Sequence, residues 1–343
     1  MSFTRIRKMP TVEEVRDMMS MPTELQKVKE KRDRELKDIF EGKDDRFIVI
    51  VGPCSADRED PVCEYITRLA EVNEKVKDRL FIVPRIYTAK PRTTGEGYKG
   101  IFHQPDPEKQ PNMFEGIIAL RQMHIRAIRE SGLTAADEML YPANLPYVDD
   151  ILSYIAIGAR SVENQQHRLT SSGIDVPVGM KNPTSGDLSV MFNSIKAAQA
   201  SHEFSYSGYE VSTSGNPYAH AILRGSTNKH GNNQQNYHYE DLVLAADMYA
   251  KGTYQNPAII VDANHANSKK MYKEQPRIVS EVLHSRNCNI ILKNVVKGVM
   301  IESYLKEGNQ PICHNYIYGK SITDACLGWD DTEKLLYKMA EEV

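Results

Sequence analysis

Phe47-Ile-Val-Ile-Val51-Gly52-Pro53-Cys54 is a run of five apolar residues stopped by a turn. It has no polar residue at alternate positions, so it suits a strand buried on both faces, as parallel sheets require. A helical stripe follows, with Asp60 expected as N-cap, Pro61 at the first position, and Val62, Tyr65, Ile66, Leu69 and Val72 on one face. Leu80-Phe-Ile-Val-Pro-Arg-Ile86 then repeats the apolar run. Further strands are predicted near 134–139, 155–160, 177–182, 220–225, 259–264 and 298–302, with helical patterns between them, such as Leu188 to Ala200. Eight strands alternating with helices predict an α/β fold, a closed (β/α)8 TIM barrel over residues 43–343. A doubly wound open sheet is the structural runner-up, but no GxGxxG follows the first strand to support its dinucleotide site.

Residues 1–42 read as a helical extension before the barrel. Thr11 and Glu14 have capping-box spacing. Thr23 opens a longer segment with apolar Leu25, Val28, Leu36, Ile39 and Phe40, and Gly42 is its expected stop. The charged residues between them suggest an arm laid on a surface, a neighbouring subunit's among the candidates, and hence a homodimer or homotetramer. Three stretches exceed a minimal barrel: a loop at 88–115, an inserted hairpin at 203–213, and a polar segment at 226–238 expected to be mobile.

Composition narrows the function. The 343 residues carry a net charge of −3, so no global basic field draws in nucleic acid or a membrane surface. No apolar run approaches the ~18 residues of a membrane span, and the N-terminal stretch lacks a signal peptide's apolar core. Five cysteines, at 54, 63, 288, 313 and 326, form no CxxC pair, which fits a reduced, cytoplasmic protein.

Polar residues recur at the C-terminal ends of the predicted strands. Cys54 follows the first; Arg85, Lys90 and Arg92 follow the second; Glu138, Arg160, Lys181, Arg224, His265 and Glu302 end the third to eighth. Asp324 comes after the last. A (β/α)8 barrel brings all these ends to one face, where active sites are built. Six of the residues are cations, and like charges held in one cavity imply a heavily anionic ligand, with more than one phosphate or a phosphate and a carboxylate. Cys54, His265, Glu302 and Asp324 form a mixed soft and hard donor set that suits Mn²⁺, Fe²⁺, Co²⁺ or Zn²⁺. Taken singly, Cys54 would be a packed core thiol, His265 an ordinary hydrogen-bonded histidine and Glu138 a satisfied buried carboxylate. Their shared position is what favours function.

At these residues the sequence resembles the type I 3-deoxy-D-arabino-heptulosonate 7-phosphate (DAHP) synthases. The matching stretches include Gly52-Pro-Cys-Ser55, Lys90-Pro-Arg-Thr-Thr94, Gly158-Ala-Arg160, Pro177-Val-Gly-Met-Lys-Asn182, Ile222-Leu-Arg-Gly225, His265-Ala-Asn-Ser268, Val299-Met-Ile-Glu-Ser303 and Tyr318-Gly-Lys-Ser-Ile-Thr-Asp-Ala-Cys326. The resemblance implies condensation of phosphoenolpyruvate with erythrose 4-phosphate, the first step of aromatic amino-acid synthesis. It implies Cys54, His265, Glu302 and Asp324 as metal ligands. Arg85, Lys90 and Lys181 would surround the phosphoenolpyruvate carboxylate and reacting carbon, and Arg160 and Arg224 would clamp its phosphate. Arg92 and Thr93 would hold the phosphate of erythrose 4-phosphate, and Glu138 would stand near the reacting centre. Lys90, Glu138 and His265 are the catalytic candidates. The resemblance departs at Leu145-Pro146 and Asp175, in the area it associates with feedback inhibitors, so inhibition by an aromatic amino acid is not carried over. The rival readings are a sugar-acid synthase using a longer sugar phosphate, a catalytically silent ligand-binding barrel, and a metal-dependent hydrolase.

Overall fold

The computed structural model describes residues 2–92, 95–313 and 315–343. Eight parallel strands form the centre: β1 (Phe47–Gly52), β2 (Leu80–Pro84), β3 (Ala135–Glu138), β4 (Leu152–Ile157), β5 (Val178–Lys181), β6 (Ala219–Leu223), β7 (Ile259–Asp262) and β8 (Val296–Glu302). Each pairs in parallel with its neighbours in chain order, β1 also pairs with β8, and an Arg85–Ala136 bridge joins β2 to β3 and closes the ring. This is the expected (β/α)8 barrel.

Strand pleat divides the core in two. Ile48 and Ile50 point inward with Phe81, Val83, Ala136, Tyr154, Ala156, Ile222, Ile260 and Met300. Phe47, Val49 and Val51 point outward to the helices. Both faces are buried, which is why these strands read as continuous apolar runs rather than alternating ones.

The N-terminal segment forms α1 (Val12–Met18) and α2 (Thr23–Phe40). The capping box at Thr11 and Glu14 is present in both directions. Helix α2 does more than lie on a surface: Leu36, Ile39 and Phe40 join the inner cluster of the chain's own barrel, beneath the strands' N-terminal ends. Its charges are accommodated by Arg32, whose guanidinium lies 4.3 Å over the Phe81 ring and donates to the Ile82 carbonyl at 2.5 Å.

Several boundaries shift from expectation. Helix α3 (Glu59–Val76) begins with Arg58 as N-cap, so Asp60 and Pro61 sit inside its first turn. Strand β4 begins and ends three residues earlier than predicted, which leaves Arg160 in the turn beyond it. The 203–213 insertion is an antiparallel hairpin, His202–Tyr206 with Tyr209–Thr213. Phe204, Tyr206 and Val211 of that hairpin share a groove with Leu145 and Asp175. The 226–238 segment is an ordered ribbon, Ser226–Thr227 paired with Asn233–Gln234. The Asn228 side chain accepts from the His230 and Asn232 amides, and Asn236 ties the ribbon's end to Gly225 and Asn182.

Candidate active site

The strand ends deliver their side chains to one mouth. Lys90 Nζ lies 2.6 Å from Cys54 Sγ and 3.1 Å from Asp324 Oδ2, and Cys54 Sγ is 3.3 Å from the same Asp324 oxygen. A carboxylate oxygen of Glu302 completes a group with Cys54 and Asp324 whose ligand atoms all lie within 4.8 Å of one another. His265 stands at its edge, with Nε2 3.8 Å from Glu302 Oε1. Three of the four expected ligands therefore form one cluster, and the fourth faces it. Thiol, imidazole and two carboxylates in this arrangement fit a borderline divalent cation.

Buried partners hold these groups rigidly. Glu302 accepts from Arg85 Nη2 at 2.8 Å and from Asn264 Nδ2 at 2.5 Å, while Gln275 pairs with its backbone in both directions. Arg85 also donates to the Pro53 and Cys54 carbonyls and lies 3.8 Å over the Tyr87 ring. Among the described residues its Nη1 meets only the Met300 sulfur, a weak acceptor, at 3.2 Å. Gly52 permits this arrangement, because a Cβ there would stand 2.4 Å from the Arg85 carbonyl oxygen. His265 takes a left-handed backbone, φ 51°, which aims its ring into the mouth from beyond the end of β7.

Charge is balanced group by group. Burial raises the Cys54 pKa and Glu302 adds to this; Lys90 opposes them, and the net result is a thiol pushed up to about 11. Burial works against the Lys90 ammonium, but Cys54, Asp324 and Glu302 beside it hold its pKa above the usual range. Burial likewise disfavours the ionised Asp324 and Glu302 carboxylates, and neighbouring cations more than reverse that: Lys90 chiefly for Asp324, Arg85 chiefly for Glu302.

A further acid, Asp262, escaped the sequence reading. It is fully buried at the end of β7, 2.8 Å from His265 Nδ1 and 3.3 Å from Lys181 Nζ. Burial alone would raise its pKa, but His265 and Lys181 keep it strongly depressed. The signal was a lone carboxylate closing the apolar run Ile259-Ile-Val-Asp262. Asn264, Gln275, Asn182 and Asn236 were missed for another reason: uncharged amides look like ordinary loop polarity until their partners are known.

The outlying cations frame the mouth. Arg224 follows β6, its amide donates to Asn182 Oδ1 at 2.9 Å, and its buried Nη1 has no hydrogen-bond partner among the described residues. Burial lowers its pKa, against the attraction of Asp262, and Arg160 repels it from nearby. Arg160 itself is exposed. Arg92 Nε donates to the Tyr98 carbonyl at 2.8 Å, under the turn at Gly97. Thr93 lies outside the described residues. Glu138 ends β3 facing Gly158, where a Cβ would meet Glu138 Oε1 at 2.4 Å. Metal-ligand candidates, the orphaned Arg224 donor and a buried acid thus occupy one face, which suits a reaction between anionic substrates.

Comparison with known proteins gives this arrangement its relatives. The profile of the DAHP synthetase I family matches residues 20–337. A phospho-2-dehydro-3-deoxyheptonate aldolase of Haemophilus influenzae is 40% identical over 320 residues, covering 90% of this chain and 84% of its own. The Phe-sensitive phospho-2-dehydro-3-deoxyheptonate aldolase of Escherichia coli K12 is 39% identical over 322 residues, covering 90% of this chain and 87% of its own. A solved phospho-2-dehydro-3-deoxyheptonate aldolase structure from Francisella tularensis superposes with a TM-score of 0.92 at 30% identity, covering 100% of this chain and 98% of its own.

Proposed function

The chain belongs to the DAHP synthetase I family, and on that premise we propose which of its side chains carry the reaction. The enzyme condenses phosphoenolpyruvate with erythrose 4-phosphate and water, giving 3-deoxy-D-arabino-heptulosonate 7-phosphate and phosphate, the first step of aromatic amino-acid synthesis. C3 of phosphoenolpyruvate bonds to the aldehyde carbon, whose oxygen takes a proton. Water oxygen bonds to C2, the C2–O bond to phosphate breaks, and a ketone remains at C2.

Arg224, with Arg160 at the rim, clamps the phosphoenolpyruvate phosphate; the unpartnered Nη1 of Arg224 supports this. Lys181, Lys90 and Arg85, whose Nη1 has the weakly accepting Met300 sulfur beside it, surround its carboxylate and reacting carbon. Arg92, with Thr93, holds the phosphate of erythrose 4-phosphate. Clamping both anions removes most of the entropy cost of bringing two carbons together, and the cations stabilise charge on the departing phosphate. Cys54, His265, Glu302 and Asp324 hold a divalent ion (Mn²⁺, Fe²⁺, Co²⁺ or Zn²⁺), which when bound supplies Lewis-acid polarisation of a carbonyl oxygen. Lys90 Nζ, which touches Cys54 and Asp324, is the proton source we assign for the new hydroxyl, with His265 as the other group within the mouth. Glu138 acts as the acidic group beside the reacting centre.

The observation that carries the metal assignment is the convergence of Cys54, Glu302 and Asp324, contributed by three distant parts of the chain. We read the enzyme as a cytoplasmic homodimer or homotetramer. Five cysteines without a disulfide support the compartment, and the exposed Phe3 and Ile6 of the N-terminal segment support further association. No described helix is long and apolar enough to cross a membrane. The test is loss of the enol absorbance when protein, phosphoenolpyruvate and erythrose 4-phosphate are mixed with and without a chelator. We expect loss that requires the aldehyde, stops with chelator and returns with added divalent metal. Turnover indifferent to chelator in metal-stripped protein would remove the metal assignment.

A further inference from the structure

Behind the wall of the active site lies a buried polar trio that the reaction scheme above does not use. Asp137 precedes Glu138 on β3, so strand pleat turns it away from the mouth and toward helix α4 (Met113–Ser131). Its Oδ1 accepts from the Thr88 amide at 2.9 Å and the Glu138 amide at 2.7 Å. Its Oδ2 accepts from the Thr88 hydroxyl. His124, on α4, brings Nε2 to 3.8 Å from that same oxygen, and neither nitrogen of this fully buried ring has a hydrogen-bond partner among the described residues.

The surroundings are apolar: Phe102, Leu120, Leu152 and Ile155 line a small cavity with Thr88, Asp137 and Glu138. A carboxylate there is costly unless every lone pair finds a donor. Thr88 supplies two donors, Glu138 one, and the His124 ring faces the remaining side.

The position of Thr88 gives the arrangement a consequence. The β2–β3 ladder ends at the Arg85–Ala136 bridge and the Ile86 amide on the Ala136 carbonyl. Beyond it the chain leaves the sheet toward Lys90 and Arg92, and the Asp137 side chain takes over the role of a ladder partner. Thr88 is fastened twice, two residues before the lysine that touches Cys54 and Asp324. We propose that Asp137 is a positioning residue for the condensation: through Thr88 it fixes where Lys90 and Arg92 stand. This rests on Lys90 and Arg92 acting as assigned above.

The test uses Thr88→Val, Thr88→Ser, Asp137→Asn and the Thr88→Val/Asp137→Asn double variant in the full-length enzyme, with Lys90→Met as reference. A displacement of about 1 Å at a reacting group can cost roughly 100-fold in rate. We expect kcat to fall about 10-fold in Thr88→Val and about 10- to 100-fold in Asp137→Asn, with bound metal unchanged and the KM for phosphoenolpyruvate moved much less. Thr88→Ser keeps the hydroxyl and should restore kcat. The double variant should be no slower than Asp137→Asn, because both changes break one contact. A lowered melting temperature with wild-type kcat per folded molecule would overturn the proposal, as would Thr88→Ser behaving like Thr88→Val. Should Asp137→Asn fail to fold, the two Thr88 variants decide alone. Full activity in Lys90→Met would instead remove the role assigned to Lys90.

Discussion

His265 Nδ1 lies 2.8 Å from Asp262 Oδ2, and the opposite edge of the ring looks across 3.8 Å to Glu302 Oε1. A buried carboxylate behind an imidazole supports the ring from one edge and leaves the other edge free to face a cation. Asp262 also holds Lys181, so one acid orients a metal-ligand candidate and a substrate-binding candidate together.

Asp262→Asn keeps the shape and removes the charge. Removing such a supporting carboxylate typically costs 10- to 100-fold in metal affinity. We expect metal to be retained about 10- to 100-fold less tightly in a competition titration, with circular dichroism unchanged. Wild-type affinity would show that His265 needs no carboxylate behind it.

Arg224→Ala tests the proposed phosphate clamp. Its buried Nη1 is unmatched by any described protein group, which leaves it free to take a ligand oxygen. A charged hydrogen bond of ~1.5–3 kcal/mol corresponds to about a 10- to 100-fold change in affinity. The KM for phosphoenolpyruvate should rise by that factor, while metal content and the KM for erythrose 4-phosphate stay near wild type. An equal rise in both KM values would place Arg224 outside a specific clamp.

The barrel and most residues of the candidate site were legible because both follow local rules. Buried parallel strands leave apolar runs, and the polar side chains of the candidate site collect where those runs stop. The contacts that cross the chain were not legible. The strand at β4 was placed late because Ser153 interrupts its apolar start; that hydroxyl is buried through a bond to Asp33 of α2, 120 residues away. Helix α2 read as a surface arm because its charges outnumber its apolar residues, and only the structure shows Arg32 lying flat on Phe81. Asp137 and His124 carry no pattern at all in sequence, since they meet only when α4 packs on β3.

His220 makes stability fall in acid. It is fully buried inside the barrel, with Nε2 2.7 Å from the Tyr154 hydroxyl and Nδ1 2.8 Å from the Tyr218 carbonyl oxygen. Burial pulls its pKa down to about 4, so the native protein keeps it neutral where an unfolded chain, near 6.5, takes up a proton. The unfolded state binds more protons between those values, so this contribution is complete above about pH 6.5 and is lost as pH falls toward 4. The loss amounts to roughly 3 kcal/mol at the acid limit. Urea unfolding at pH 7 and pH 5 should show a smaller pH effect in His220→Gln than in wild type, whatever the variant's own stability. Equal slopes in the two proteins would show that His220 does not titrate on unfolding.

Phe40→Ala tests what the N-terminal helix is for. Phe40 is buried at the base of the barrel, its ring centroid 4.6 Å from that of His220, in the inner cluster that contains Ile48 and Ile260. Removing a core phenylalanine costs about 3–5 kcal/mol, because the cavity left behind collapses only in part. If α2 chiefly closes its own barrel, the melting temperature should drop by the same amount at all protein concentrations, and kcat of the folded fraction should persist. If its main partner were a neighbouring subunit, the loss would grow on dilution, since assembly stabilises by mass action. Melting curves over a hundredfold dilution series separate the two, and the placement of Leu36, Ile39 and Phe40 within one chain's core predicts that the curves coincide.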